Sequence, residues 1–353
     1  MEALGETGTV KPFPNALALT LYQKLLAPLA GDLKGQSQWI IAASGPLARI
    51  PFSLLQVQAA QGSNSARWLI DQVALTHVPN VGSWLSLRSL PRNVKPDQPL
   101  LAWGDPSFKP AQAINSVVTP SASVVRAVRS ALKESDTDLE KDIIRHDNLY
   151  HEIPPLPETR EELIQLAEAL QASPSDLILG SQATRMSVLN ANKSGVLQRK
   201  RVLVFATHGL MVGELQGLAQ PALAMAANGE ETRNPLSPLL TLEDVLGLKL
   251  NSDWVVLSAC NTAAGDGKGE EALSGLARGF FYAGSRSMLV THWAVESESA
   301  KELTTKTFAH FTQSTSAPKA ESLRQAIIQV KADPRYSHPV FWAPYVLVGD
   351  SLR

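Results

Sequence analysis

The chain has one cysteine, Cys260, among its 353 residues. It can neither close an internal disulfide nor build a thiolate metal cage, and such sparing cysteine usage suits a reducing, cytoplasmic setting. Charge of either sign is not in excess: 32 Lys and Arg stand against 33 Asp and Glu, for a formal net charge of −1. With no broad positive field to gather phosphates, direct nucleic-acid binding is disfavoured. No run of 18 apolar residues occurs, so no helix crossing a membrane is expected. The opening MEALGETGTV lacks the basic flank and apolar core of a secretory signal. No internal repeat is visible.

What is present is core-forming material. Hydrophobic residues make up 44% and charged residues 18%, a globular composition. The length suits two domains, or one large α/β domain with an appended region. Ala16 to Leu29 has helical spacing. Trp39 to Ala43, Val73 to Val78 and Leu100 to Trp103 read as strands, the last closed by Gly104-Asp105-Pro106. Residues 109–157 mix Ser, Pro and alternating charge, and read as an insertion or mobile loop holding one amphipathic helix around Val124 to Lys133. That divides the chain into 1–108, the insertion 109–157, and 158–353.

Regularity sets in from Thr159, which with Glu162 has the spacing of a capping box opening a helix to about Ala172. Strands are expected at Leu177–Leu179, Val202–Phe205, Trp254–Leu257, Ser287–Thr291 and Tyr345–Val348. Helices are expected at Arg185–Asn192, Leu242–Leu246, Glu271–Ala283, Ser297–Phe311 and Ala320–Lys331. Strands alternate with helices, and their apolar runs are continuous rather than alternating. Strands covered on both faces have this pattern, so the fold class is α/β with a mostly parallel central sheet sandwiched by helices. Ligands of such sheets bind beyond the carboxyl ends of the strands.

Two of those ends carry chemistry. Val202–Phe205 is followed by Ala206-Thr207-His208-Gly209, and Trp254–Leu257 by Ser258-Ala259-Cys260-Asn261. His208 and Cys260 each stand three residues past an apolar run, 52 positions apart. A thiol with a pKa of ~8.5 is only a few per cent ionised at neutral pH and needs a base beside it. An imidazole supplies that base and then protonates a leaving amine. Gly209, without a Cβ, can bring its backbone N–H close to a substrate carbonyl, and with the N–H of Cys260 could bind an oxyanion. Taken singly, a cysteine is usually an inert small hydrophobe and a strand-end histidine usually structural. Their matched placement favours a nucleophilic pair, and a separation of about 50 residues is also that of caspases. The glycines of Gly265-Asp266-Gly267-Lys268-Gly269 wall the expected cleft. They match neither a Walker motif nor a complete G-x-G-x-x-G, which leaves a nucleotide-binding reading weak.

Several blocks in order carry a family resemblance. PLPETREEL (Pro155 to Leu163), VLVFATHG, LSPLLTLEDVLGLKLNSDWVVLSACNTAAG, GEEALSGLARGFFYAGSRSMLVTHWAVESESA and HPVFWAPYVLVGD resemble the CHAT domain, a bacterial relative of caspases and separases. LYQKLLAPL, WIIAASGPLARIPFSLL and LLAWGDPSF are similar to its amino-terminal half, which makes 1–108 an amino-terminal α/β region of the same unit. The resemblance implies a caspase-like fold, a His208–Cys260 dyad and cleavage of a protein substrate without metal or other cofactor. It also implies regulation by an attached region or partner such as tetratricopeptide repeats. A non-catalytic scaffold on the same fold is the competing reading. Asp105, Glu214, Asp266, Glu296 and Glu298 are candidates for receiving a basic substrate side chain, against a default of solvated carboxylates. His292 and His338 are expected to be structural.

Overall fold

Apolar runs such as Val202–Phe205 and Trp254–Leu257 have no polar face to turn to water, and they form strands buried on both sides. The computed structural model describes residues 11–60, 66–89, 95–109, 149–215, 217–227, 236–258, 275–293, 295–313 and 318–351. The strands are β1 (Gln38–Ile41), β2 (Gln56–Gln58), β3 (Arg67–Trp68), β4 (Ala74–His77), β5 (Gln98–Gly104), β6 (Leu177–Leu179), β7 (Lys200–Ala206), β8 (Gly209–Leu210), β9 (Ala222–Ala224), β10 (Leu239–Thr241), β11 (Trp254–Leu257), β12 (Ser287–Thr291) and β13 (Tyr345–Gly349). The helices are α1 (Asn15–Leu25), α2 (Leu69–Gln72), α3 (Val81–Ser89), α4 (Glu158–Ala169), α5 (Arg185–Lys193), α6 (Leu242–Leu246), α7 (Gly275–Ala283), α8 (Ser297–Gln313), α9 (Lys319–Ala332) and α10 (Pro339–Trp342).

Eight strands form one sheet in the order β1-β4-β13-β12-β11-β7-β5-β6. Every pairing in it is parallel except β12 with β13. The expected mostly parallel α/β sheet is therefore present. Residues before 109 contribute three of its strands: β5 sits between β7 and β6, while β1 and β4 lie beyond β13. A small antiparallel sheet, β10-β9-β8, is built directly after β7.

Side chains alternate across the sheet, as strand geometry requires. Val202, Val204, Trp254 and Val256 face a core shared with Leu163 and Leu166 of α4, Leu303 and Phe308 of α8, and Leu323 of α9. Leu203, Phe205, Val255 and Leu257 face the opposite core, with Val188 of α5, Val245 of α6 and Phe280 of α7. Two helical layers thus sandwich the sheet.

The expected capping box at Thr159 does not form. Helix α4 starts one residue earlier, after Pro157, and no side chain caps it. Thr159 Oγ1 instead donates to Leu156 O and accepts from the Asp105 N–H, which ties α4 to the end of β5. Glu162 is drawn into the interior, only 3% exposed. Gly104 permits this close approach, because a Cβ there would stand 2.5 Å from Leu163 Cδ1. The last residues of the expected insertion also pack: Tyr150 and Ile153 are buried with Phe108 and the small sheet. The expected helix at Val124 to Lys133 and the Glu271 start of α7 lie outside the described residues.

Candidate active site

The two strands whose ends carry the expected dyad are neighbours. β7 and β11 run parallel with Trp254 opposite Val202, Val255 opposite Leu203, Val256 opposite Val204 and Leu257 opposite Phe205. Their carboxyl ends therefore open at the same edge, in the middle of the sheet. The described chain reaches Ser258 on the β11 side. Cys260, Asp266 and the Gly265–Gly269 stretch lie outside the described residues.

His208 follows β7 by two residues and is held on several sides. Its Nε2 stands 2.9 Å from Pro154 O. A carbonyl only accepts, so Nε2 carries the proton and Nδ1 keeps its lone pair. The Phe108 ring lies 5.7 Å away, centroid to centroid, and the Ala224 N–H donates to His208 O. Burial pushes the imidazole below its ordinary pKa, opposed by the Pro154 bond and by the charges of Glu158 and Glu214. Burial thus favours the neutral ring, whose Nδ1 keeps its lone pair.

Gly209 opens β8 opposite Leu223. Because the neighbouring Ala224 N–H bonds to His208 O, Gly209 occupies the non-hydrogen-bonded position of its pair. Its N–H therefore turns away from β9.

The four described carboxylates expected near the cleft are all engaged. Asp105, at the exit of β5, pairs with Arg160 at 2.7–2.8 Å. Glu214 accepts the Met211 N–H at 2.9 Å and closes the loop after β8. Glu296 accepts the N–H groups of Glu298 and Ser299 and so caps α8, where negative charge at a helix N-terminus is favourable. Glu298 points outward to Lys301 at 2.8 Å. Of these, Glu214 lies close enough to act on the charge of His208. His292 is half-buried beside Trp293, and desolvation pushes its pKa down to about 4. His338 caps α10, its Nδ1 accepting the Val340 N–H.

Sequence reasoning missed three groups here: Pro154, Glu158 and Glu162. Pro154 acts through a backbone carbonyl, which no side-chain pattern announces. Glu158 accepts from Ser297 Oγ at 2.7 Å. Glu162 Oε2 is 3.3 Å from Ser258 Oγ, and its Oε1 is 3.0 Å from Thr304 Oγ1. Burial drives the Glu162 carboxyl up to about 7; the Thr304 and Ser258 bonds lower it, and Glu158 raises it further. All three fall within or beside PLPETREEL, so the signal was there, but the three-residue spacing of Thr159 and Glu162 read as a helix cap.

Among the described residues no group of three or more His, Cys, Asp or Glu side chains is gathered as a metal site. Nor is any described helix long and apolar enough to cross a membrane.

The chain is 25% identical over 370 residues to tetratricopeptide repeat protein 28 of Mus musculus, and 26% over 366 residues to that of Homo sapiens. These alignments cover 94% of this chain but span only 13% of the length of those relatives. Among solved structures, the complex of Porphyromonas gingivalis RgpB pro- and mature domains matches with a TM-score of 0.50 at 9% identity, over 99% of this chain and 71% of that one. The Arg-specific cysteine proteinase gingipain R (RgpB) matches with a TM-score of 0.47 at 9% identity, over 99% and 69%. The likeness at a TM-score of 0.50 concerns the fold alone, which is caspase-like. The CHAT domain model matches residues 15–350, nearly the whole chain, and the protein belongs to the CHAT domain family.

Proposed function

We propose that the protein is a cysteine endopeptidase in which Cys260 is the nucleophile and His208 its general base. The observation that carries this reading is the register of β7 with β11. Every described pair is offset by 52 residues, and the same offset separates His208 from Cys260. That shared offset supports reading the two residues as a pair at the edge where β7 and β11 end.

In the proposed reaction, the Cys260 sulfur attacks the scissile carbonyl carbon while its proton passes to His208 Nδ1. The tetrahedral oxyanion is received by the N–H groups of Gly209 and Cys260. Collapse breaks the C–N bond, and Nδ1 returns the proton to the leaving amine. Water then attacks the thioester, His208 taking its proton, to release the acid and restore the thiol. Pro154 O keeps the imidazole in the tautomer this sequence needs. Glu214, whose charge bears on His208 although it also accepts the Met211 N–H, is the described carboxylate we assign to a basic substrate side chain; Asp105 and Glu298 pair with Arg160 and Lys301, and Glu296 caps α8. Asp266 remains a second candidate by its sequence position.

On this reading residues 1–108 and 158–353 are two halves of one catalytic region, with 109–157 inserted between them. The partners are a protein substrate and a regulatory region or protein. The name of the curated relatives supports tetratricopeptide repeats in the regulatory role. The setting is cytoplasmic.

The test is cleavage of a peptide library by the wild-type protein, Cys260→Ala and His208→Ala. Both substitutions are expected to abolish cleavage, by at least about a hundredfold, with unchanged far-UV circular dichroism. Undiminished cleavage by Cys260→Ala would refute the mechanism. Absence of any cleavage, together with protein-binding activity indifferent to both substitutions, would favour a scaffold.

A further inference from the structure

Among the described residues, Glu162 is the one carboxylate in this part of the fold buried from water, and the dyad mechanism does not use it. Burying a carboxyl is unfavourable unless its oxygens are met by donors, and both are. One reaches Ser258, the residue immediately following β11. The other reaches Thr304, which also contacts the carbonyls of Ala300 and Lys301 one turn earlier on α8. Four residues before it on α4, Glu158 meets Ser297 at the first turn of α8. A polar stripe on α4 therefore fastens both α8 and the exit of β11 inside an otherwise apolar core.

We propose that Glu162 is a positioning residue: its carboxyl clamps the exit of β11, at Ser258, to helix α8, two residues before the cysteine that the proposed function makes the nucleophile. This rests on the reading of Cys260 as the nucleophile. Ser258 stands two residues before Cys260 in the sequence, and two residues of chain reach at most about 7 Å, so the position of Ser258 bounds that of Cys260. A cleft nucleophile must sit within a fraction of an ångström of its working geometry.

Two consequences separate positioning from plain core filling. Gln is isosteric with Glu, and its amide can donate to one hydroxyl while accepting from the other, so Glu162→Gln keeps the clamp. Glu162→Ala removes it. The carboxyl also ionises near neutrality, and ionisation makes both oxygens acceptors. Among the described residues, the charged group bearing on it is Glu158 of its own helix. Ser258 from β11 and Thr304 from α8 face it with hydroxyls, and Lys301 of α8 is turned to Glu298.

The experiment uses the fact that the chain has one cysteine, so every thiol alkylation, read by peptide mass, reports on Cys260. The rate of iodoacetamide labelling is followed from pH 5.5 to 9 for the wild-type protein, Glu162→Gln, Glu162→Ala, Ser258→Ala and the double alanine variant. His208→Ala is run in parallel. Glu162→Ala is expected to change the rate about tenfold and Ser258→Ala in the same direction, the double variant showing no more than the larger single effect. Glu162→Gln is expected to stay within about threefold of wild type, with a rate ratio to wild type that changes between pH 6 and pH 8. A folded Glu162→Ala whose curve superimposes on wild type would overturn the proposal. So would independent, multiplying effects of the two alanine substitutions. If Glu162→Ala does not fold, Ser258→Ala and Glu162→Gln still decide: no change in the first, or a ratio constant with pH in the second, counts against it. An unchanged rate in His208→Ala counts against the dyad instead, and leaves the clamp to be judged on its own curves.

Discussion

At the scale of single residues, burial shifts His77, His208, His292 and the Glu162 carboxyl toward the neutral form. Burial pushes His77 down to about 3 and His292 to about 4, and it lowers His208 as well. Glu162 is pushed the opposite way, up to about 7. Each shift makes stability depend on pH with a definite sign. The unfolded chain protonates its histidines below about 6.5 while the folded one does not, so these groups weaken the fold as pH falls through that value. The folded chain retains the Glu162 proton between 4.5 and about 7 while the unfolded one releases it, so this group weakens the fold as pH rises through that window. A shift of that size corresponds to at most about 3 kcal/mol. Between pH 4.5 and about 7 the two effects oppose one another, so Glu162→Gln is expected to make stability to urea rise more steeply with pH across that window than in the wild type. A Glu162→Gln profile parallel to wild type from pH 5 to 8 would show that Glu162 titrates normally. Residues of this kind were the least legible in the sequence. His208 declared itself by following an apolar run, whereas Glu162 looked like a helix cap until its direction was known. Pro154 contributes an atom that every residue has.

At the scale of elements, long apolar runs were legible because a strand buried on both faces has no other composition open to it. The runs ending at Phe205, Leu257, Thr291 and Val348 all became central strands, the last extending by one residue to Gly349. The short strands β8, β9 and β10 were not legible, since two or three residues carry no period, and Ala222–Ala224 has no β-branched side chain. Helix α1 stops at Leu25 rather than continuing to Leu29, because Pro28 removes a donor and the chain tightens into a 3₁₀ turn at Ala27–Leu29. The end of β13 depends on a glycine. Gly349 has φ of 100°, and a Cβ there would stand 2.6 Å from Arg286 O and 2.7 Å from Phe281 Cε1. Gly349→Ala combines backbone strain with overpacking, and is expected to destabilise by about 2–5 kcal/mol in urea titration. A loss under about 0.5 kcal/mol would mean that β13 and α7 separate easily.

At the scale of the whole molecule, the sequence pointed to a parallel sheet but could not order it. Strand order depends on contacts between distant segments, and apolar runs of similar composition are interchangeable on paper. In the fold, β4 pairs with the last strand, β13, while β5 is placed between β7 and β6. Segments from before and after residues 109–157 are thereby joined in one sheet, and the edge shared by β5, β7 and β11 gathers Asp105, His208 and Ser258. The three-layer arrangement gives this edge its character: α4 and α8 close over one face, and the small sheet rises directly from His208. On the proposed function, this edge is a peptide-cleaving cleft. The most direct measurement is mass-spectrometric labelling of Cys260 by a panel of peptidyl acyloxymethyl ketones, compared with iodoacetamide, in the wild-type protein and in His208→Ala. The account predicts that at least one peptidyl reagent labels wild type about a hundredfold faster than iodoacetamide does, and that His208→Ala removes this preference. Equal, slow labelling by every reagent, unchanged in His208→Ala, would contradict it.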